Sequence, residues 1–250
     1  MKLYVFGSCS GTEPIEGRHH TSIAFEVNDR FYWFDAGENC SYYAHLMGVD
    51  LLSVSDIFIS HTHIDHIGGL ANLLCNIQKL MYIKKTLPRF GNVNVYIPKP
   101  EYFDGVMKVI GDDITNRYET VCKKVTDGVV FKNSDIKVEA VHNSHLPDLS
   151  SYSFCIKAEG KRIVYSGDVK GIWELECFLK EKTDVLLMET GHHSAVNVLQ
   201  YIKEQGYNID KVFFMHHGRE ILYDYEGVLD KCREILPDVV FLNDKDIIEW

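Results

Sequence analysis

The sequence predicts an α/β protein of four layers, αββα: two mixed sheets with helices on both outer faces, in a single domain. Three observations predict it. Strand pairs joined by tight turns open each half of the chain, and strand–helix alternation follows. That order occurs twice, over roughly residues 1–125 and 126–250, with no Ser/Gly-rich linker between the halves. The strands are too apolar to leave a face in water, so both faces of each sheet need a cover.

The elements follow in order. Leu3 to Phe6 is a short apolar run closed by Gly7, a buried strand. Ser22 to Val27 and Arg30 to Phe34 are strands, and the Asn28-Asp29 pair between them signals a hairpin. Asp35-Ala36-Gly37 ends the second strand, Asn39 to Met47 reads as a helix, and Gly48 stops it. Asp56 to Ser60 is a strand; beyond it Leu70, Leu73, Leu74 and Ile77 recur at helical spacing over Gly69 to Leu80. Asn94 to Ile97 is a strand and Glu101 to Ile110 a helix. In the second half, Gly128 to Phe131 and Ile136 to Val141 are strands around a turn at Asn133-Ser134. Tyr152 to Ala158 and Arg162 to Tyr165 form a hairpin about Glu159-Gly160-Lys161. Strands at Asp184 to Met188, Val212 to Met215 and Val239 to Leu242 alternate with helices at Ala195 to Glu204 and Tyr225 to Ile235.

Composition narrows the function classes. The 250 residues, 46% apolar and 25% charged, suffice for a core without staples. With 26 basic and 36 acidic residues the net charge is -10, and no basic stripe offsets it. Broad nucleic-acid binding rests on Lys and Arg neutralising phosphates, so this sequence carries no strong sign of it. The short clusters Lys84-Lys85 with Arg89 and Lys123-Lys124 read as solvated surface. Seven scattered cysteines, none spaced C-x-x-C, fit reduced thiols in a cytoplasm. The first residues carry no signal-peptide pattern, and no stretch is long enough to cross a bilayer.

The chemistry lies in His61-Thr62-His63-Ile64-Asp65-His66. Zinc and similar cations take imidazole and carboxylate donors at about 2 Å in a convergent geometry. His61 and His63, two apart on extended chain, point the same way. Asp65 and His66 follow just before the helix that begins near Gly68-Gly69. Four donors in six positions exceed what an incidental loop supplies.

This run resembles the H-x-H-x-D-H signature of the metallo-β-lactamase superfamily, whose fold is an αββα sandwich. The resemblance implies later ligands at strand ends. His145 follows the strand ending at Val141, with His142 competing. Ser166-Gly167-Asp168 resembles the family's S-G-D, whose aspartate bridges two metals. His216 follows Val212 to Met215, with His217 competing. The implied cofactor is two divalent ions, zinc first, with manganese or iron also suited to such donors. One ion falls to His61, His63 and His145, the other to Asp65, His66 and His216, with Asp168 between them. Asp65 then also orients or deprotonates the attacking water, and Asp35 is a candidate support for an imidazole.

Asp168 stands where zinc β-lactamases carry Cys, and His63 where flavo-diiron reductases carry Glu. The opening Phe6-Gly7-Ser8-Cys9-Ser10-Gly11-Thr12, the segment Asp35-Ala36-Gly37-Glu38, and Glu189-Thr190 with His193-Ser194 look like ribonuclease Z and its phosphodiesterase relatives. That branch implies His193, or alternatively His192, as the acid that protonates the leaving group. The departures are equally specific. No Gly-rich arm that grips transfer RNA lies between Tyr96 and Val130, and His216-His217-Gly218-Arg219-Glu220 replaces the family's S-R-Y ending. The expectation is a hydrolase acting on a phosphodiester or cyclic phosphate bond in a small molecule, with Arg18 or Arg219 as candidate phosphate contacts. A glyoxalase II-like thioesterase and a non-catalytic metal-binding or sensing module are the alternatives. Relatives of this kind are often homodimers, so the resemblance admits a second copy as partner.

Overall fold

A computed structural model describes residues 1–111 and 120–250. The expected absence of a gripping arm covers residues 96–130 and so lies partly outside the described residues. Backbone contacts divide the chain into two compact units. One comprises Met1–Gly7, His19–Val125 and Asp244–Trp250; the other comprises Ser8–Arg18 and Thr126–Asn243.

The first unit holds a seven-stranded sheet built from β1 (Lys2–Gly7), β2 (Ser22–Val27), β3 (Arg30–Phe34), β4 (Val54–Phe58), β5 (Asn94–Ile97), β6 (Val121–Lys124) and β14 (Ile247–Glu249). Its order is β14-β1-β2-β3-β4-β5-β6. β14, β1, β2 and β3 pair antiparallel; β3 through β6 run parallel. The β2–β3 hairpin turns on Asn28 (φ 51°) and Asp29 (φ 61°). Positive φ at both central residues matches the right-handed strand twist, and Asn and Asp tolerate it better than most side chains. On one face Tyr4, Phe6, Ala24, Phe31 and Trp33 pack with α1 (Cys40–Leu46), α3 (Leu70–Lys84) and α4 (Pro100–Ile110). Phe6 stacks on Trp33 at 4.3 Å between centroids, and the indole nitrogen donates to Ser22 Oγ at 2.8 Å. Leu3, Val5, Ile23, Phe25, Phe34 and Phe58 on the other face are buried too. The short α2 (Ile64–Ile67) precedes α3.

The second unit holds another seven-stranded sheet, from β7 (Gly128–Lys132), β8 (Ile136–Asn143), β9 (Ser151–Ala158), β10 (Lys161–Tyr165), β11 (Thr183–Thr190), β12 (Ile209–His217) and β13 (Val240–Phe241). Its order is β13-β12-β11-β10-β9-β8-β7. β7 through β10 are antiparallel and β10 through β13 parallel, again hairpins first and crossovers second. The β9–β10 turn has positive φ at Glu159 and Gly160. Val164, Leu186, Met188, Val212 and Phe214 pack with α6 (Ala195–Gln205) and α8 (Tyr225–Ile235). Shorter helices are α5 (Glu176–Leu179) and α7 (Arg219–Tyr223).

Two mixed sheets of seven strands, with their helices, agree with the expected α/β class. Three details differ from the sequence reading. β6 and β14 are strands that local pattern did not reveal, because β6 is polar on its exposed residues and β14 is only three residues long. β14 exists through pairing with β1 across the whole chain, Tyr4 opposite Ile247. The helix read to Leu80 continues to Lys84 and stops at left-handed Lys85. Finally, Ser8–Arg18 joins the second unit. Ser10 N–H donates to His217 O at 3.1 Å, and His217 N–H donates to Ser8 O at 2.8 Å.

Candidate metal centre and active site

In the first unit the donors stand past the C-terminal ends of the parallel strands β3 and β4, where open α/β sheets place their ligands. Asp35 follows β3 with φ 53°, a conformation an aspartate accepts. Its carboxylate is fully buried and accepts three hydrogen bonds: Ser60 N–H at 2.7 Å, Ser60 Oγ–H at 2.8 Å and His66 Nδ1–H at 2.8 Å. The bond to His66 sets the tautomer. The proton sits on Nδ1, so Nε2 keeps its lone pair for a cation. That Nε2 lies 3.5 Å from Asp65 Oδ2. His61 Nε2 and His63 Nδ1 are 3.0 Å apart, and Ser60 Oγ is 3.1 Å from His61 Nδ1. The four side chains of the motif therefore form two donor pairs, His61 with His63 and Asp65 with His66. Gly69 makes the turn into α3 this tight. A Cβ there would meet Gly37 O at 2.0 Å, so only glycine lets the two loops touch.

In the second unit Asp168 is the hub. It follows β10 through Gly167, whose φ is 55°. Oδ1 lies 3.3 Å from His216 Nε2, and Oδ2 lies 3.7 Å from His145 Nε2 and 3.8 Å from His192 Nδ1. Each oxygen of one buried carboxylate thus faces a different imidazole, as a carboxylate shared by two cations would. His216 itself is held at φ 51°.

The paired candidates differ in their hydrogen bonding. His142 is exposed and spent on Asp127, with Nδ1 to Oδ2 at 2.7 Å; His145 is the one that faces Asp168. His217 is fully buried between Thr190 Oγ1 at 3.1 Å and Leu242 O at 2.8 Å. Burial pushes its pKa down to about 3, so it is a neutral part of the core, and His216 faces the cluster. His192 and His193 both reach Glu189, at 3.1 and 3.3 Å.

Glu189 is a hub that sequence reasoning left without a role. It also accepts from the backbone N–H of Val169 and of His192. Burial works to raise its pKa, but the two histidines outweigh it and hold the carboxyl at about 2. His193 is shifted the other way. Burial opposes its charge, and Glu189 overcomes that and raises its pKa. His193 Nε2–H donates to Val169 O at 2.7 Å, which leaves Nδ1 as the nitrogen open to a ligand. The signal was present in the sequence: a glutamate closing an apolar strand, three and four residues before two histidines.

The arginine candidates are occupied. Arg219 pairs with Glu13 at 2.5 Å beside Tyr223, on the surface. Arg18 donates to Ser8 Oγ at 2.9 Å and sits 5.9 Å from the Tyr225 ring centre. No helix among the described residues is long and apolar enough to cross a membrane.

Known proteins share the fold. The metallo-β-lactamase fold protein YhfI from Bacillus subtilis superposes with a TM-score of 0.77 at 17% identity, covering 99% of each chain. Human tRNase Z, short form, gives 0.72 at 17% identity over 100% of this chain and 99% of that one. In sequence, ribonuclease Z of Treponema denticola is 28% identical over 155 residues, 62% of this chain and 48% of that protein. The chain thus spans about half the length of that relative. Ribonuclease Z of Archaeoglobus fulgidus is 20% identical, with 98% of this chain and 96% of that protein covered. The family model described as Anti-Pycsar protein Apyc1 matches residues 1–227. The chain belongs to that Anti-Pycsar protein Apyc1 family, on the metallo-β-lactamase fold.

Proposed function

We propose that this protein is a dinuclear metal-dependent hydrolase that cleaves a phosphodiester or cyclic phosphate bond in a small substrate. The observation that carries the reading is Asp168, with one oxygen toward His216 and the other toward His145. The donor set fits divalent cations: imidazoles, one with its tautomer fixed by Asp35, and carboxylates, with no thiolate among them. In this reading His61, His63 and His145 would hold one ion, Asp65, His66 and His216 would hold the other, and Asp168 would serve both. Zinc is the first choice of metal. Divalent cations bound there would lower the pKa of a water toward neutrality and offset charge on the phosphoryl oxygens.

The residues of the chain do the rest. Asp65 orients the water and takes its proton. His193, whose pKa Glu189 raises, gives a proton from Nδ1 to the leaving oxygen. Asp35 and Ser60 keep His66 from turning away. The two units work as one domain in this scheme. Free thiols at all seven cysteines suit a cytoplasmic setting.

Zinc-loaded protein is expected to turn over bis(p-nitrophenyl) phosphate, and Asp168→Ala to abolish that turnover. Wild-type turnover that survives in Asp168→Ala overturns the assignment. The ribonuclease Z relatives favour a second reading, an RNA substrate. Cleavage of a 3′-extended transfer RNA precursor in preference to a cyclic phosphate selects it. Those relatives favour phosphoester chemistry over a thioesterase or a non-catalytic module.

A further inference from the structure

We infer that Glu174 is a positioning residue: its carboxylate ties the loop carrying His145 to the loop carrying Asp168 and so sets the spacing of these two donors. The inference rests on the metal-dependent reading above.

Glu174 lies in a single 3-10 turn, Ile172–Leu175. Ile172 and Leu175 of that turn are buried in the core of the second unit, so the turn is anchored from below. Glu174 N–H donates back to Gly171 O at 3.0 Å, which closes the turn. Its two oxygens then reach in different directions. Oε1 accepts the Ser144 N–H at 2.9 Å and the Ser144 hydroxyl. Oε2 accepts the Lys170 N–H at 2.8 Å.

Ser144 is the residue before His145, and Lys170 stands two after Asp168. The Ser144 loop is braced from its other side as well. Asn143 Oδ1 accepts the His145 N–H at 3.1 Å and the Ser151 hydroxyl at 2.5 Å. The loops from which His145 Nε2 and Asp168 Oδ2 approach to 3.7 Å are thus tied through their backbones. One carboxylate on a rigid turn pins both loops, with no side chain in the site itself. Charge-assisted hydrogen bonds to backbone N–H groups are the stronger kind.

The variants separate the arms. Glu174→Gln keeps the shape but turns one acceptor into a donor, so one of the two arms must release. Glu174→Ala frees both, and Ser144→Ala removes only the hydroxyl arm. For each full-length protein, zinc affinity is measured by competition with a chromophoric chelator. The urea midpoint of the zinc-free form and kcat and KM on bis(p-nitrophenyl) phosphate complete the set. Loss of an outer support lowers metal affinity by about 10–100-fold. We expect Glu174→Ala within that range, Glu174→Gln at its lower end and Ser144→Ala the mildest. The turnover loss should fall on kcat with KM little changed, since the substrate's own contacts remain.

A residue that only braces the fold would lower the urea midpoint and leave zinc affinity untouched. Folded Glu174→Gln and Glu174→Ala with wild-type zinc affinity overturn the inference while leaving the hydrolase reading intact. A wild-type protein that takes up no zinc overturns both. Wild-type protein that binds zinc but cleaves no phosphoester overturns the hydrolase reading alone, because the affinity series still tests the clamp.

Discussion

Replacing Asp35 by asparagine perturbs a buried charge that accepts three hydrogen bonds. The carboxylate is fully buried and accepts from Ser60 N–H, Ser60 Oγ–H and His66 Nδ1–H, all within 2.8 Å. Asparagine has nearly the same shape and tolerates φ 53°, so backbone strain is not added. Its oxygen can keep the Ser60 N–H, but its amide then faces the hydroxyl and the imidazole with a donor. Two charge-assisted bonds, each about 1.5–3 kcal/mol, are lost, and rotation of the Ser60 hydroxyl recovers part of one. A net loss of about 2–4 kcal/mol follows. His66 can restore its bond only by moving its proton to Nε2, the atom that the proposed site gives to a cation. Metal affinity should therefore fall by about 10–100-fold. With a urea slope near 3 kcal/mol/M, the midpoint of the zinc-free protein should drop by about 1 M. Urea unfolding followed by tryptophan fluorescence measures the first effect, and chelator competition the second. An Asp35→Asn protein with an unmoved midpoint and wild-type zinc affinity refutes the account of Asp35 as anchor of His66.

Other expectations are simpler. Gly69→Ala puts a Cβ at 2.0 Å from Gly37 O, backbone against backbone, so the loops must part; thermal unfolding should come several degrees earlier, and zinc uptake should weaken with it. An unchanged melting temperature in Gly69→Ala contradicts the contact. Tyr4 is held protonated, first by burial and then by its 2.9 Å bond to Glu26, and its pKa rises from 10 to about 12. The folded form keeps the proton that the unfolded chain gives up first. The contribution is therefore complete below pH 10 and lost as pH climbs toward 12. Tyr4→Phe should lack that slope, so the stability gap between variant and wild type, read from urea midpoints, should narrow from pH 9 to 12. A gap that stays constant argues against the shift.

Much of the site was legible because its first part is local. Four donor residues within six positions, directly after an apolar strand, announce a cluster whatever the rest of the chain does. The turns were equally local, since Asn28-Asp29 and Glu159-Gly160 carry their conformational preferences with them. The edge strand β14 was not legible. Three residues have no period to detect, and they become a strand only when β1 offers its hydrogen bonds. Glu174 gave no sign for a similar reason, as its partners Ser144 and Lys170 belong to other loops.

By itself the amino-acid order determined the α/β class, the hairpin-then-crossover plan and the identity of the donor-rich run, because each depends on neighbours within a few positions. Only the tertiary structure shows what each of the adjacent histidines faces. His142 is claimed by Asp127, fifteen residues earlier, and His217 by Leu242, twenty-five residues later. An imidazole becomes available to a cation or is consumed by the core according to which distant acceptor the fold brings to it. That acceptor is set by strand pairing and loop closure, which no short stretch of sequence contains.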